Sequence, residues 1–257
     1  MNLGQLRATA LFSRIRQRWY WIIAIVVVSA ASPARARAQT IGQYAAWDAL
    51  MVSPVGAFVA TGSGVTAGSP TNSLALRVGQ WRYNADDAAH GIYGLTFSRG
   101  VGSRSRASVT GGYVHVACGD CVGWAIWGVD LETRMLQAGR GERLWQPGTT
   151  LGVRLSAGGG GLRGRPHSIA RTAALQMPVD VRVRYHTNHY VWASLNPGVG
   201  YGNVWGPSGS DGGVLPMLGA TMGLGLTSSL GIELGAHRVY IAGGPLDVGA
   251  SFAWAFR

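Results

Sequence analysis

Few residues in this 257-residue chain have a type and spacing that could do chemistry. Cys118 and Cys121 are the only cysteines, in the stretch Ala117-Cys118-Gly119-Asp120-Cys121. A thioredoxin-like redox pair would need a βαβ setting, which the flanking sequence lacks. A structural metal would need more than two thiolates. In an exported chain such a pair is expected to be a disulfide stapling a loop tip. His186 and His189 form an isolated H-x-x-H, two metal ligands without a third. Gly158-Gly159-Gly160-Gly161 has no Lys after it and is no phosphate cradle. G-x-S-x-G and H-E-x-x-H are absent. Every basic residue is Arg, so lysine Schiff-base and P-loop lysine chemistry is excluded. The residues point to no catalytic centre, no metal and no cofactor.

Attention therefore moves to the elements that would position side chains. Charged residues are only 13% of the chain and 40 residues are Gly, against roughly 25% charged in an ordinary soluble domain. Residues 1–38 follow the plan of an export signal. Arg7, Arg14, Arg16 and Arg18 precede an uncharged run from Trp19 to Ala34, and Ala36-Arg37-Ala38 is an A-x-A cleavage site. The uncharged run is short for a spanning helix. The mature chain, 39–257, is expected to start at Gln39. It retains sixteen arginines against eleven acids, a net charge of +5. No basic cluster remains in it, so nucleic acid is not an expected partner.

The mature chain alternates. In the tail, Leu246, Val248, Ala250, Phe252, Trp254 and Phe256 share one face, while Asp247, Gly249, Ser251, Ala253 and Ala255 share the other. Period two over that length is a strand with one apolar face, long enough for a tilted membrane crossing. The pattern recurs and predicts ten strands, at 73–79, 92–99, 107–116, 123–134, 148–157, 175–185, 191–202, 214–226, 229–238 and 246–256. Eight or twelve stay open, with Val55–Ala60 as a further short candidate. Glycine is too frequent for stable helices, and no helical stripe persists. Short connectors, such as Thr227–Ser229, alternate with longer ones, such as Gly158–Ala174 and Asn203–Gly213. Pro197 falls inside a strand and predicts a bulge.

Export signal, long alternating strands, two loop classes and an aromatic final strand together resemble a bacterial outer-membrane β-barrel. The resemblance covers about Leu50 to Arg257 and specifies a class, not a family. It implies an all-β, antiparallel, up-and-down transmembrane barrel in the outer membrane, surrounded by outer-membrane lipids and delivered by the barrel assembly machinery. Trp81, Trp124, Trp127, Trp192, Tyr201, Trp205 and Trp254 lie near predicted strand ends, where such barrels carry aromatic girdles. The rival, a soluble lipocalin-like barrel, would have to expose a face made mostly of Gly, Ala and Ser with few charges.

The opposite parity of each strand places charges inside. Arg77, Arg134, Arg154, Arg182 and Arg184 are expected in the lumen together with Asp130, Glu132, Asp180, Glu233 and Asp247. Equal numbers of each sign favour pairing over a one-signed selectivity ring. Arg182 and Arg184 are expected to bridge through Arg154 to Asp130 and Glu132, while the inward glycines leave room for water. Three functions follow: a narrow pore with a charge-lined lumen, a structural or interaction barrel plugged by ion pairs, or an outer-membrane lipid-modifying enzyme. Oligomeric state and solute are not encoded in any motif.

Overall fold

The structure is a computed structural model that describes residues 41–51, 53, 72–81, 90–116, 123–139, 144–161, 168–186, 189–207, 209–227, 229–241 and 246–256. The export signal, the pair Cys118 and Cys121, and the candidate strand Val55–Ala60 lie outside the described residues.

A short helix, α1 (Ile41–Met51), precedes eleven strands. They are β1 (Asn72–Trp81), β2 (His90–Val101), β3 (Ser105–Val116), β4 (Trp124–Ala138), β5 (Pro147–Gly161), β6 (Ile169–Gln176), β7 (Val179–His186), β8 (His189–Gly206), β9 (Gly209–Gly225), β10 (Leu230–Val239) and β11 (Asp247–Phe256). Each pairs antiparallel with its neighbours, and both β4–β5 and β1–β11 ladders are present, so the sheet closes on itself. Closure pairs the backbone donors and acceptors of both would-be edges, which removes the liability of an open sheet.

The eleven strands occupy ten places in the barrel. β6 and β7 both lie between β5 and β8, and the register runs from one to the other without a slip. They are one strand interrupted at Met177-Pro178. The prolines explain the interruption. Pro178 accepts a hydrogen bond from Gly152 N, and Pro197 accepts one from Met177 N, each at 2.8 Å. In a strand, a residue's N–H and C=O project to the same side, so each proline lacks the return donor at that point. The bulge expected at Pro197 does not form. The β8–β9 register passes evenly through Asn196, Pro197 and Gly198, because the missing donor faces the other neighbour. Register shifts occur instead between Arg134 and Leu136 and between Arg184 and His186.

The ten predicted strands all exist, most of them longer than expected. The largest departure is at 203–213. That stretch is not a loop: β8 and β9 continue as a paired hairpin up to the contact of Gly206 with Gly209. Asn72 and Phe256 pair at one end, here called the near end, which also carries the tight turns at Gly102–Arg104 and Leu226–Ser229. Gly102 has φ +67°, a conformation that Gly adopts without a Cβ clash. In the second turn, Thr227 Oγ1 accepts from Ser229 N and Leu230 N.

The outer face is apolar. Leu76, Leu95, Val129, Leu155, Val191, Met222, Leu234 and Phe252 all point outward and are exposed. Trp127, Tyr201, Trp205 and Trp254 join them. Trp124 and Trp192 do not: both are buried and inward, so they belong to the lumen and to no girdle. The alternation therefore places apolar residues outside, which is the inverse of a soluble barrel. Leu234→Arg is expected to cost about 2–4 kcal/mol of folding stability in phospholipid vesicles, read from urea unfolding curves. An unchanged curve would mean that water, not hydrocarbon, bathes this face.

Candidate functional site

The interior of the barrel is the candidate site, and it has two layers. The far layer is built by α1. Its sequence, IGQYAAWDALM, is apolar around most of its circumference, as expected of an enclosed helix. Eleven residues are too few to be stable alone, so the packing must hold it. Ala46, Ala49, Leu50 and Met51 are fully buried. They join one apolar cluster with Ile92, Val114, Trp124, Ile126, Ala170, Val204, Leu215 and Val239, which come from both sides of the barrel. The seat is glycine. A Cβ on Gly42 would lie 2.7 Å from Gly212 O, and one on Gly200 would lie 2.8 Å from a Leu50 methyl. A Cβ on Gly202 would meet the Ala46 carbonyl. Beyond the helix, Ser53 Oγ and Thr172 Oγ1 share a hydrogen bond of 2.7 Å. The inward glycines thus admit a helix where the sequence suggested room for water.

The near layer is charged. Arg106, Glu132 and Arg154 stand in direct register on β3, β4 and β5. Arg154 donates to Glu132 through Nε at 3.0 Å, and its terminal nitrogen completes the ion pair. Arg77 is buried within Coulombic reach of Asp130 and Glu233. Glu233 is 1% exposed and accepts from Trp192 Nε1 at 2.9 Å and from Ser251 Oγ at 3.3 Å. Trp192 lies on β8 and Glu233 on β10, so the indole must cross β9. It crosses at Gly223, where any Cβ would collide with the ring. Asp180 faces Ser194 across β7–β8, and the Ser194 hydroxyl donates to Asn196 Oδ1 at 3.2 Å. Trp192→Phe is expected to cost about 1–3 kcal/mol, since it leaves a buried carboxylate short of a donor. Chemical denaturation of the refolded barrel measures this. A loss equal to that of an outward Trp127→Phe would show that the indole acts by packing alone.

All ten charges read from the sequence lie on the inner parity. Arg182 lies over the Tyr190 ring, 3.5 Å from its centroid. Arg184 donates to the His186 carbonyl at 3.4 Å near the end of the barrel. Both are local contacts at the β7–β8 hairpin. Asp247 stands apart from the charged layer, directly opposite His237. The sequence reading missed Arg106, although its parity with Ser108 and Thr110 would have placed it. It also missed Trp192 as a donor, which depends on the register of three strands. His186 and His189 meet edge to face at 5.3 Å between ring centroids. No group of three or more His, Cys, Asp or Glu side chains suited to a metal occurs among the described residues.

No protein-family model matches the sequence, and no curated protein matches it. Solved structures similar to the chain include three bacterial proteins. The N-terminal β-barrel domain of Pseudomonas aeruginosa OprF is 13% identical, with 73% of this chain and 100% of that one covered and a TM-score of 0.32. Ail, the attachment invasion locus protein of Yersinia pestis, is 10% identical, with 74% and 100% covered and a TM-score of 0.32. The translocator domain of the autotransporter NalP from Neisseria meningitidis is 10% identical, with 77% and 92% covered and a TM-score of 0.41.

Proposed function

We propose that this chain is an outer-membrane barrel whose lumen is closed at rest by its own N-terminal helix. It serves as a structural or interaction barrel and not as an open porin. The observation that carries this reading is α1 in its glycine seat, with its apolar cluster reaching across the lumen. The Glu132–Arg154 pair narrows the other layer. The apolar exterior supports the membrane setting.

A second reading, a gated narrow path, is favoured by a specific set of groups on the near side of the helix. Gln176, Asn196, Thr221, His237 and Asp247 are buried and inward, and each has a side-chain atom without a hydrogen-bond partner. Such groups cost about 1–3 kcal/mol each when buried unmet. Withdrawal of the helix would let water reach them, so part of the cost of opening is already offset.

Recordings in planar bilayers separate the two. The full chain is expected to give a quiet baseline. Large, steady, voltage-independent steps from the unmodified protein would overturn the closed reading.

A further inference from the structure

The outer wall carries a groove of about 680 Å³ that the lumenal function does not use. We propose that this groove holds one acyl chain of an anionic membrane lipid, whose headgroup sits at the far rim. The inference rests on the membrane setting proposed above, though not on the closed lumen.

The groove arises where small residues interrupt the apolar exterior. Ala250 lies in the row between Val78 and Leu234, both outward and exposed. Gly91 lies between Gln80 and His115 in the next outward row toward the far rim. The two dips lie one row apart on either side of β1, and one groove inclined along the wall takes in both. Its walls change character with depth. In the row of Ala250 they are Leu234, Val78 and the Tyr93 backbone, while the next row toward the far rim brings Gln80 and His115 beside Val248. The Tyr93 ring folds over Gly91, so that its hydroxyl would lie 3.3 Å from a Cβ there. This carries the phenol oxygen toward the polar end. An apolar trough that ends in hydroxyl, amide and imidazole groups matches the gradient of a lipid, tail inward and head outward.

Charge selects the headgroup. Arg238 is exposed on the outer parity of β10, two outward positions beyond Leu234, and its guanidinium rests 5.6 Å from the Tyr240 ring centroid. Long basic side chains at a membrane boundary lay their stems on apolar surface and hold the charge at the headgroup level. A phosphate is the group such a cation takes, and Arg does so with a planar fork.

The test uses the full mature chain refolded into vesicles of mixed phosphatidylglycerol and phosphatidylcholine, extracted in mild detergent and weighed by native mass spectrometry. The expected result is a single retained phosphatidylglycerol per barrel. Ala250→Phe, which fills the trough, should abolish the lipid-bound peak. Arg238→Gln should keep a bound lipid but lose the preference for phosphatidylglycerol. Retention unaffected by Ala250→Phe would overturn the groove. Equal retention of both lipids by the unmodified protein would overturn the anionic headgroup. A dimer mass lost in Ala250→Phe would show that a second copy covers the trough. The change in gel mobility on heating reports a folded barrel in every variant, so a folding failure is seen as such. Failure of the unmodified chain to insert into vesicles at all would instead count against the membrane setting.

Discussion

Removing residues 41–53 will convert a silent protein into a conducting one. The helix packs in the far part of the lumen against β8 and β9, and its contacts are mostly apolar. Its seat on β8 and β9 includes Gly200, Gly202, Gly212 and Gly213, which have no side chains to refill the space once it leaves. The barrel itself should persist, because its ladders close without any contribution from α1. Planar-bilayer recordings are expected to show resolved steps where the full chain gives none. A subtler variant reaches the same end without deletion. Gly202→Leu places a side chain where the Ala46 carbonyl lies, so the helix cannot seat. If both variants stay silent while their heat-modifiable mobility shows a folded barrel, the charged layer alone closes the lumen and the helix is incidental to it.

Glu132→Ala is expected to be the most damaging single substitution among the inward charges. Arg154 is 3% exposed and bonded to Glu132 by two nitrogens. Removing the carboxylate leaves that guanidinium buried without its main partner, and Arg106 loses the opposing charge on its own row. Breaking a buried pair from one side costs about 3–5 kcal/mol where water is excluded. Replacing both, as Glu132→Met with Arg154→Met, should cost much less, because no lone charge remains. Equilibrium unfolding in urea measures each variant. If single and double changes cost the same small amount, water already screens the pair and the near layer is wet. In that case Glu132→Ala should also raise anion selectivity in the α1-deleted barrel, since uncompensated arginines then line the path.

Much of the barrel was legible because a strand shows its two faces in its own residues. Leu246, Val248 and Phe252 alternate with Asp247, Gly249 and Ser251, and the structure puts the first set outside and the second inside. Each inward charge followed from the same parity. Partnership did not, because it depends on register between strands. Glu132 meets Arg154 because β4 and β5 align them. Arg182 lies over Tyr190 because the β7–β8 hairpin folds that ring back beside it. The helix was hidden for a related reason. Its apolar residues encircle it, so no amphipathic stripe advertises it. The residues that accept it are Gly200, Gly202, Gly212 and Gly213, far along the chain. Gly212 and Gly213, together with Gly206, Pro207, Gly209 and Ser210, made 203–213 resemble a loop. A glycine that gives way to a neighbouring element and a glycine that bends a turn look alike in sequence.

The placement of α1 also sets an order of events in time. Ser53 bonds to Thr172, 119 residues away, and most of the seat lies still further along, on β8 and β9. Contacts of such sequence separation form late, because the entropy of closing long loops must be met first. The N-terminal segment leaves the ribosome early, yet its docking surface is among the last parts to be made. Until β8 and β9 are paired, an apolar helix has no home and is exposed to any passing surface. A chaperone able to shield roughly eleven apolar residues until the β8–β9 hairpin arrives would serve this chain more than one that shields its strands.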